Sequence, residues 1–424
     1  MVVDESKEYI DLRYSPDRDD VVCEYLVFPI RGVSFETVAK KIASESGIGS
    51  WTTLSTLEET LFGHFSPKVF RMNKSRHTIK VAYPSGLFES NNIPQLLSVV
   101  AGNIFAMQEI KSLKLLDIEF PRSFVRNYFG PHYGISGVRY LMRVQHRPLL
   151  GAVVKPKVGL DVSSYSKIAF ESWAGGCDFV SDDENLTSLP TNNFNLRVKE
   201  VLKMRALAEK ATGERKAYLP NITAPYREMI KRAKSVVAQG NEFVLVDVCS
   251  IGFSALQDLR ALDLRVVLHG HRTGHGVFTK SPEHGMSMLV LAKLCRLIGV
   301  DQLQVGGIGG KEGPETISLG EEIEQKIITQ KTFKHRLQED WLNLKPIFAI
   351  CSGAIHPRSV RPLIHSMGRD IIIQAGGGIH GHPLGSFAGA KAMRDAIDAE
   401  MFGALPSEYA KKSKELSIAL KTWK

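Results

Sequence analysis

The 424-residue sequence predicts an α/β protein: a C-terminal (β/α)8 barrel of the TIM type preceded by a ferredoxin-like α+β domain. Two observations carry this expectation. From residue 149 onward eight short apolar runs alternate with amphipathic segments, the pattern that a ring of parallel strands with intervening helices requires. Before residue 130 the order is strand, helix, strand, helix, strand, without that repeat. The expected domains are therefore 1–130 and 131–424, the second ending in a helical tail. A doubly wound open sheet is the alternative, but it does not call for eight units of similar size.

In the first domain, residues 21–28, 77–82 and 113–120 read as strands, 34–44 as a helix with Val38, Ile42 and Ala43 on one face, and 93–107 as an apolar helix. The eight barrel strands are expected at 150–155, 178–182, 217–222, 243–248, 265–269, 302–305, 347–351 and 371–374. Helices are expected at 165–173, 197–211, 226–238, 285–298 and 387–399.

Composition narrows the function classes. With 43% hydrophobic and 23% charged residues, the chain can bury a sizeable core and is not a disordered one. Its net charge of +9 invites an anionic partner, yet the basic stretches at 68–80 and 411–414 lack the aromatic platform of a single-strand binder. They read as solvated surface, and no nucleic-acid partner is expected. No apolar run approaches the ~20 residues of a membrane span. The N-terminus is acidic and has no apolar core, so no secretory leader and a cytoplasmic location are expected. Five widely spaced cysteines without a C-x-x-C pair read as reduced core thiols.

In such barrels the chemistry sits where strands end and the following loops begin. Those points carry Lys155 and Lys157, Ser181 to Asn185, Asn221, Asp247, His271 and Arg272, Gly306 and Gly307, Ser352 and Gly353, and Gly376 to Gly378. Ser352, Gly353, Gly376, Gly377 and Gly378 follow the seventh and eighth strands, where backbone N–H groups commonly grip phosphate. The run Asp182-Asp183-Glu184 offers hard oxygen ligands for magnesium, and strand alternation would put Asp182 and Glu184 on one side. Lys155 and Lys157 suit polarising a carbonyl or moving a proton. His269, His271 and His275 suggest a metal site by spacing, but Arg272 beside them favours anion recognition over zinc.

Read in order, the motifs are Gly151-Ala-Val-Val-Lys-Pro-Lys157, Gly175-Gly-Cys-Asp-Phe-Val-Ser-Asp-Asp-Glu-Asn185, His269-Gly-His-Arg-Thr-Gly-His275, Gly310-Lys311-Glu-Gly, Cys351-Ser-Gly-Ala and Gln374-Ala-Gly-Gly-Gly378. This string resembles the large subunit of ribulose-1,5-bisphosphate carboxylase/oxygenase (RuBisCO) over nearly the whole chain. Its Asp-Asp-Glu-Asn-Leu-Thr-Ser and Val-Gly-Leu motifs resemble the archaeal carboxylases. The resemblance implies catalytic roles for Lys155, Lys157, His271, His275 and Lys311, and magnesium ligands at Asp183 and Glu184. It implies substrate and phosphate contacts at Arg272, Gln304, Ser352, Gly353 and Gly376 to Gly378. Glu45, Ser50, Trp51 and Asn103 match positions that reach the active site across a dimer interface. A homodimer or an assembly of dimers is implied, with no small subunit.

The departures shape the functional expectation. Where the carboxylase carries the lysine that CO2 converts to a carbamate, this chain has Ser181, which cannot be carbamylated. Gln304 replaces a phosphate-binding histidine, Val153 and Ser50 replace threonines, and Ala354 replaces a glycine. These departures make the chain similar to the non-carboxylating RuBisCO-like proteins. The expectation is enolisation, isomerisation or a related proton transfer on a phosphorylated sugar or keto-sugar, with weak or substrate-dependent Mg2+. Methionine-salvage enolases are the nearest precedent, but Asn103 stands where that branch has a lysine. Sulfur-salvage isomerases and keto-sugar-acid phosphate decarboxylases stay open beside them. A non-catalytic ligand-binding or regulatory relative is the alternative, and true carboxylation is ranked last.

Overall fold

A computed structural model describes residues 9–50, 52, 54–307, 337 and 339–423. The strands within them are, in chain order, β1 (Val21–Pro29), β2 (Lys68–Asn73), β3 (Thr78–Tyr83), β4 (Ile110–Glu119), β5 (Leu149–Val153), β6 (Phe179–Ser181), β7 (Ala217–Leu219), β8 (Phe243–Asp247), β9 (Val267–His271), β10 (Gly285–Met286), β11 (Gln302–Gly306), β12 (Phe348–Cys351) and β13 (Ile371–Ala375). They form a five-stranded sheet, in the order β10-β4-β1-β3-β2, and an eight-stranded sheet, in the order β7-β6-β5-β13-β12-β11-β9-β8. The chain divides into two compact units: residues up to Phe129 with Gly274–Leu297 and the described part of 330–344, and Gly130–Thr273 with the described remainder.

In the first unit β1 is central and antiparallel to β3 and β4. Its alternation buries Cys23, Tyr25 and Val27 on one face. The helix Phe35–Glu45 starts where the Ser34 side chain accepts from the Thr37 N–H, and it buries Val38, Ile42 and Ala43 as expected. Tyr25 donates to the Val100 carbonyl at 2.8 Å and so ties the helix Ile93–Val100 to the sheet. That helix is shorter than the expected 93–107, because the chain turns into a 3-10 segment at Asn103–Ala106. The stretch from 68, read as solvated basic surface, supplies the edge strand β2, whose Lys68 and Arg71 stay accessible. The chain at 285–286 adds a short parallel strand to β4, and the helix begins only at Met288.

In the second unit all eight expected strands are present and parallel. The ring closes through backbone bonds from Ile222 to the Leu245 carbonyl at 3.0 Å and from Leu245 to the Pro220 carbonyl at 2.9 Å. Leu149, Phe179, Leu219, Leu245, Val267, Phe348, Ile350 and Ile372 fill one end of the lumen, packed on Val138 and Met142 of the helix Gly134–Met142. Burying each such side chain stabilises the fold by roughly 1.5–3 kcal/mol. With that end plugged, polar residues at the carboxyl ends of the strands are left for chemistry.

Among the described residues no helix is long and apolar enough to cross a membrane. The five cysteines are free, and burial pushes the Cys177 thiol well above its usual range.

Candidate active site

β6 ends at Ser181, and the acidic run beyond it turns instead of alternating. Asp182 is fully enclosed. It accepts from Arg197 Nη2 at 2.9 Å, from the Tyr165 and Tyr218 hydroxyls at 2.7 Å each, and from the Asn221 N–H at 2.8 Å. The pairing of Asp182 with Glu184 expected from alternation is therefore corrected, since the strand stops one residue too early to impose it. Asp183 and Glu184 are the carboxylates that come together, steadied by the Asn221 amide on their carbonyls at 3.3 and 3.2 Å.

Two lysines from the end of β5 meet these carboxylates. Lys155 pairs with Asp183, and Lys157 Nζ stands 2.7 Å from Glu184 Oε1 and 3.8 Å from Asp183 Oδ1. Burial alone would raise the Asp183 pKa, but hydrogen bonds from Lys155 and from the Asn185 N–H hold it below the usual carboxylate range. The Glu184 hydrogen bond leads the causes that hold Lys157 above its ordinary value. Gly376 makes room for Lys155, because a Cβ there would lie 2.9 Å from Lys155 Cε.

His271, at the end of β9, lies with Nδ1 3.2 Å from Asp247 Oδ1 and Nε2 3.8 Å from Glu184 Oε2. The Thr273 N–H also reaches Nδ1 at 3.1 Å, and when it does the enclosed Asp247 Oδ1 has no donor. Moving the imidazole proton to Nδ1 supplies that donor and frees the Nε2 lone pair. Asp247 was noted at a strand end, and its place behind His271 emerges only from the fold. His269, two residues earlier, is held well below its ordinary value, at about 3, by burial, and it bonds Gln302.

The glycine-rich strand ends leave backbone open at the barrel mouth. Gly353 is exposed with φ +103, Ser352 donates its N–H to the Gly306 carbonyl at 2.9 Å, and Gly377 is exposed at the start of the turn Gly377–His380. A Cβ at Gly378 would come within 2.0 Å of the Ile355 carbonyl, so only glycine fits there. Arg272 lies against the end of β11, its Nη2 2.8 Å from where a Cβ of Gly306 would stand. Gln304 is enclosed, and its amide donates to Gln374 at 2.9 Å.

The remaining predicted site residues lie in the first unit or outside the described residues. His275 bonds Thr279 Oγ1 through Nδ1 at 2.8 Å. Glu45 ends its helix half-buried, Ser50 is half-buried, and Asn103 is exposed. Trp51 and Lys311 lie outside the described residues.

Magnesium is bound by one or two carboxylates plus waters and substrate oxygens. Asp183 and Glu184 fit that role, provided their lysine partners give way. Ser181 does not contribute a charged oxygen. Among the described residues no three His, Cys, Asp or Glu side chains gather to hold a metal unaided.

Comparison with known proteins follows the same outline. The chain matches the family described as "Ribulose bisphosphate carboxylase large chain, catalytic domain" over residues 134–423 and the corresponding N-terminal domain over 8–124. It is 46% identical to the ribulose bisphosphate carboxylase of Methanocaldococcus jannaschii, covering 98% of this chain and 100% of that protein. The Methanosarcina barkeri carboxylase is also 46% identical, over 98% of this chain and 99% of its own. Among solved structures, the dimeric archaeal Rubisco of Hyperthermus butylicus superposes with a TM-score of 0.92 at 40% identity, covering 98% of both chains. The octameric enzyme of Pyrococcus horikoshii gives 0.90 at 43%, covering 98% of this chain and 96% of its own.

These relatives overturn the expectation of a non-carboxylating isomerase, enolase, decarboxylase or regulatory relative. That reading weighed a few departures, Ser181 and Gln304 foremost, above a likeness to carboxylases that runs the length of the chain.

Proposed function

The chain belongs to the ribulose bisphosphate carboxylase large-chain family, and from that premise we propose that it is itself a carboxylase adding CO2 to ribulose 1,5-bisphosphate. The observation that carries the proposal is the Lys155–Asp183 and Lys157–Glu184 cluster, kept at the strand ends of a chain similar to carboxylases from end to end. Gly353, Gly376 to Gly378 and Arg272 hold substrate phosphate through N–H groups and a guanidinium fork. The phosphate grip brings the substrate carbonyl to Lys155, whose ammonium stabilises the oxyanion that develops on enolisation.

Ser181 cannot become a carbamate, so the proton removed in enolisation goes elsewhere. His271 takes it at Nε2, with Asp247 holding the opposite nitrogen. Asp183 and Glu184 would hold Mg2+, with an affinity expected to be weak until substrate binds. Such an ion would supply Lewis-acid stabilisation of negative charge on the substrate. The family resemblance assigns Glu45, Ser50, Trp51 and Asn103 to the active site of a partner subunit in a homodimer or an assembly of dimers, and Lys311 to the active site of its own chain. Sedimentation at twice the 47.0 kDa chain mass or at an even multiple of it is expected, and an active monomer would refute that part.

The test is transfer of carbon-14 from bicarbonate into acid-stable product, dependent on ribulose 1,5-bisphosphate. Lys155→Met is expected to lower the rate at least about 100-fold with the fold intact, the size of effect a lost charge-stabilising group produces. Ser181→Lys is expected to raise the rate, because it restores a carbamate-forming amine. Equal rates in the wild type and Lys155→Met would sink the assignment.

A further inference from the structure

The two lumen positions that depart from the carboxylase pattern, Ser181 and Gln304, meet on one side chain. Gln304 Nε2 donates to Gln374 Oε1 at 2.9 Å, and Gln374 Nε2 donates to Ser181 Oγ at 3.1 Å. The Ser181 hydroxyl faces the Ala152 carbonyl at 3.5 Å. These three side chains come from β11, β13 and β6, alternate strands of the ring, and so share one layer of the lumen. All are at most 5% exposed. Gly151, opposite Gln374 in the β5–β13 register, leaves it room: a Cβ there would lie 3.3 Å from Gln374 Cγ.

A primary amide has one donor end and one acceptor end, so this chain of bonds has a direction. In the direction observed, Gln304 spends its donor on Gln374 and keeps its oxygen for whatever lies beyond. A carbonyl oxygen repels phosphate. In the reverse direction Ser181 donates to Gln374 Oε1, Gln374 donates to Gln304 Oε1, and the Gln304 N–H group is left for the ligand. Reversal sacrifices little, because the one bond it gives up, at 3.5 Å, is long against the usual 2.5–3.0 Å of O–H···O.

We propose that Gln374 is a positioning residue that sets, through the direction of this Ser181–Gln374–Gln304 chain, whether Gln304 offers a donor or an acceptor to a substrate phosphate. The proposal rests on Gln304 facing phosphate in the carboxylase reading. It makes position 181 a determinant of phosphate affinity on the far side of the lumen.

The test is isothermal titration of the full chain with inorganic phosphate, with circular dichroism as the folding control. Ser181→Ala leaves a buried Gln374 N–H without an acceptor in the observed direction, but only an under-used carbonyl in the reverse one. Orphan N–H groups are the rarer and costlier case. Ser181→Ala is therefore expected to tighten phosphate binding by about 3- to 10-fold, the range one redirected hydrogen bond supplies. In a Gln374→Met background the same change is expected to do nothing. If Gln374→Met fails to fold, Gln304→Met replaces it, since without an amide at 304 the effect must vanish as well. Unchanged affinity in Ser181→Ala, equal tightening in the Met background, or no phosphate binding by any variant would each overturn the proposal. Because the readout needs neither CO2 nor turnover, its failure leaves the carboxylase reading standing, and absent CO2 transfer leaves the coupling standing.

Discussion

At Asp183 burial opposes the hydrogen bonds from Lys155 and from the Asn185 N–H, and the hydrogen bonds win, so the carboxylate stays ionised. Its depressed value means that its contribution to stability is present above the unfolded value near 3.9 and is lost as pH falls through the folded one. Position 354 shows the cost of another departure: Ala354 is left-handed at φ +52, where the resemblance implies glycine. An L-residue in that region costs about 1–2 kcal/mol, part of which glycine returns in backbone entropy. Ala354→Gly is therefore expected to stabilise by about 0.5–1 kcal/mol in urea unfolding, and a destabilised variant would contradict the assignment. The lysines and Asp183 were legible because they follow apolar runs. Gln374 stood at the head of a glycine-rich motif, but its role was not legible, since its partners Gln304 and Ser181 appear only when alternate strands face each other.

The elements read from the sequence held in the helix Phe35–Glu45, which buries one face, and in the eight barrel strands, whose continuous apolar runs are buried on both faces. β2 escaped because its Lys68, Arg71 and Asn73 resemble solvated surface, which for an edge strand they also are. The helix from Met288 to Ile298 hides a feature no pattern announced: Lys293, fully enclosed, pairs with Asp117 at 2.8 Å and Glu339 at 3.0 Å. Two carboxylates share one ammonium, and burial, against the hold of Lys293, pushes Glu339 up to about 8. The folded state thus keeps a proton that the unfolded chain releases near 4.3, so this contribution is full below that value and is lost as pH rises to about 8. Glu339→Gln is expected to gain on the wild type between pH 5 and 8, by roughly 3–4 kcal/mol, and to level off above. A melting-temperature difference that does not vary with pH would contradict this.

For the whole molecule, the repeat of eight strand–helix units was legible because each unit must bury an apolar strand between neighbours. What the repeat concealed is that Gly274–Leu297 packs with the N-terminal sheet, through β10 on β4. The functional expectation fails for a related reason: a few departing residues, Ser181 and Gln304 foremost, stand against a likeness spread over 98% of the chain. The central claim is that a barrel with two carboxylates and no carbamate still carboxylates. The most direct measurement is carbon-14 transfer from bicarbonate to acid-stable product by the purified wild-type chain with Mg2+, with and without ribulose 1,5-bisphosphate. The account predicts transfer that requires the bisphosphate and disappears in Lys155→Met. Label that stays at background with the bisphosphate present would contradict it.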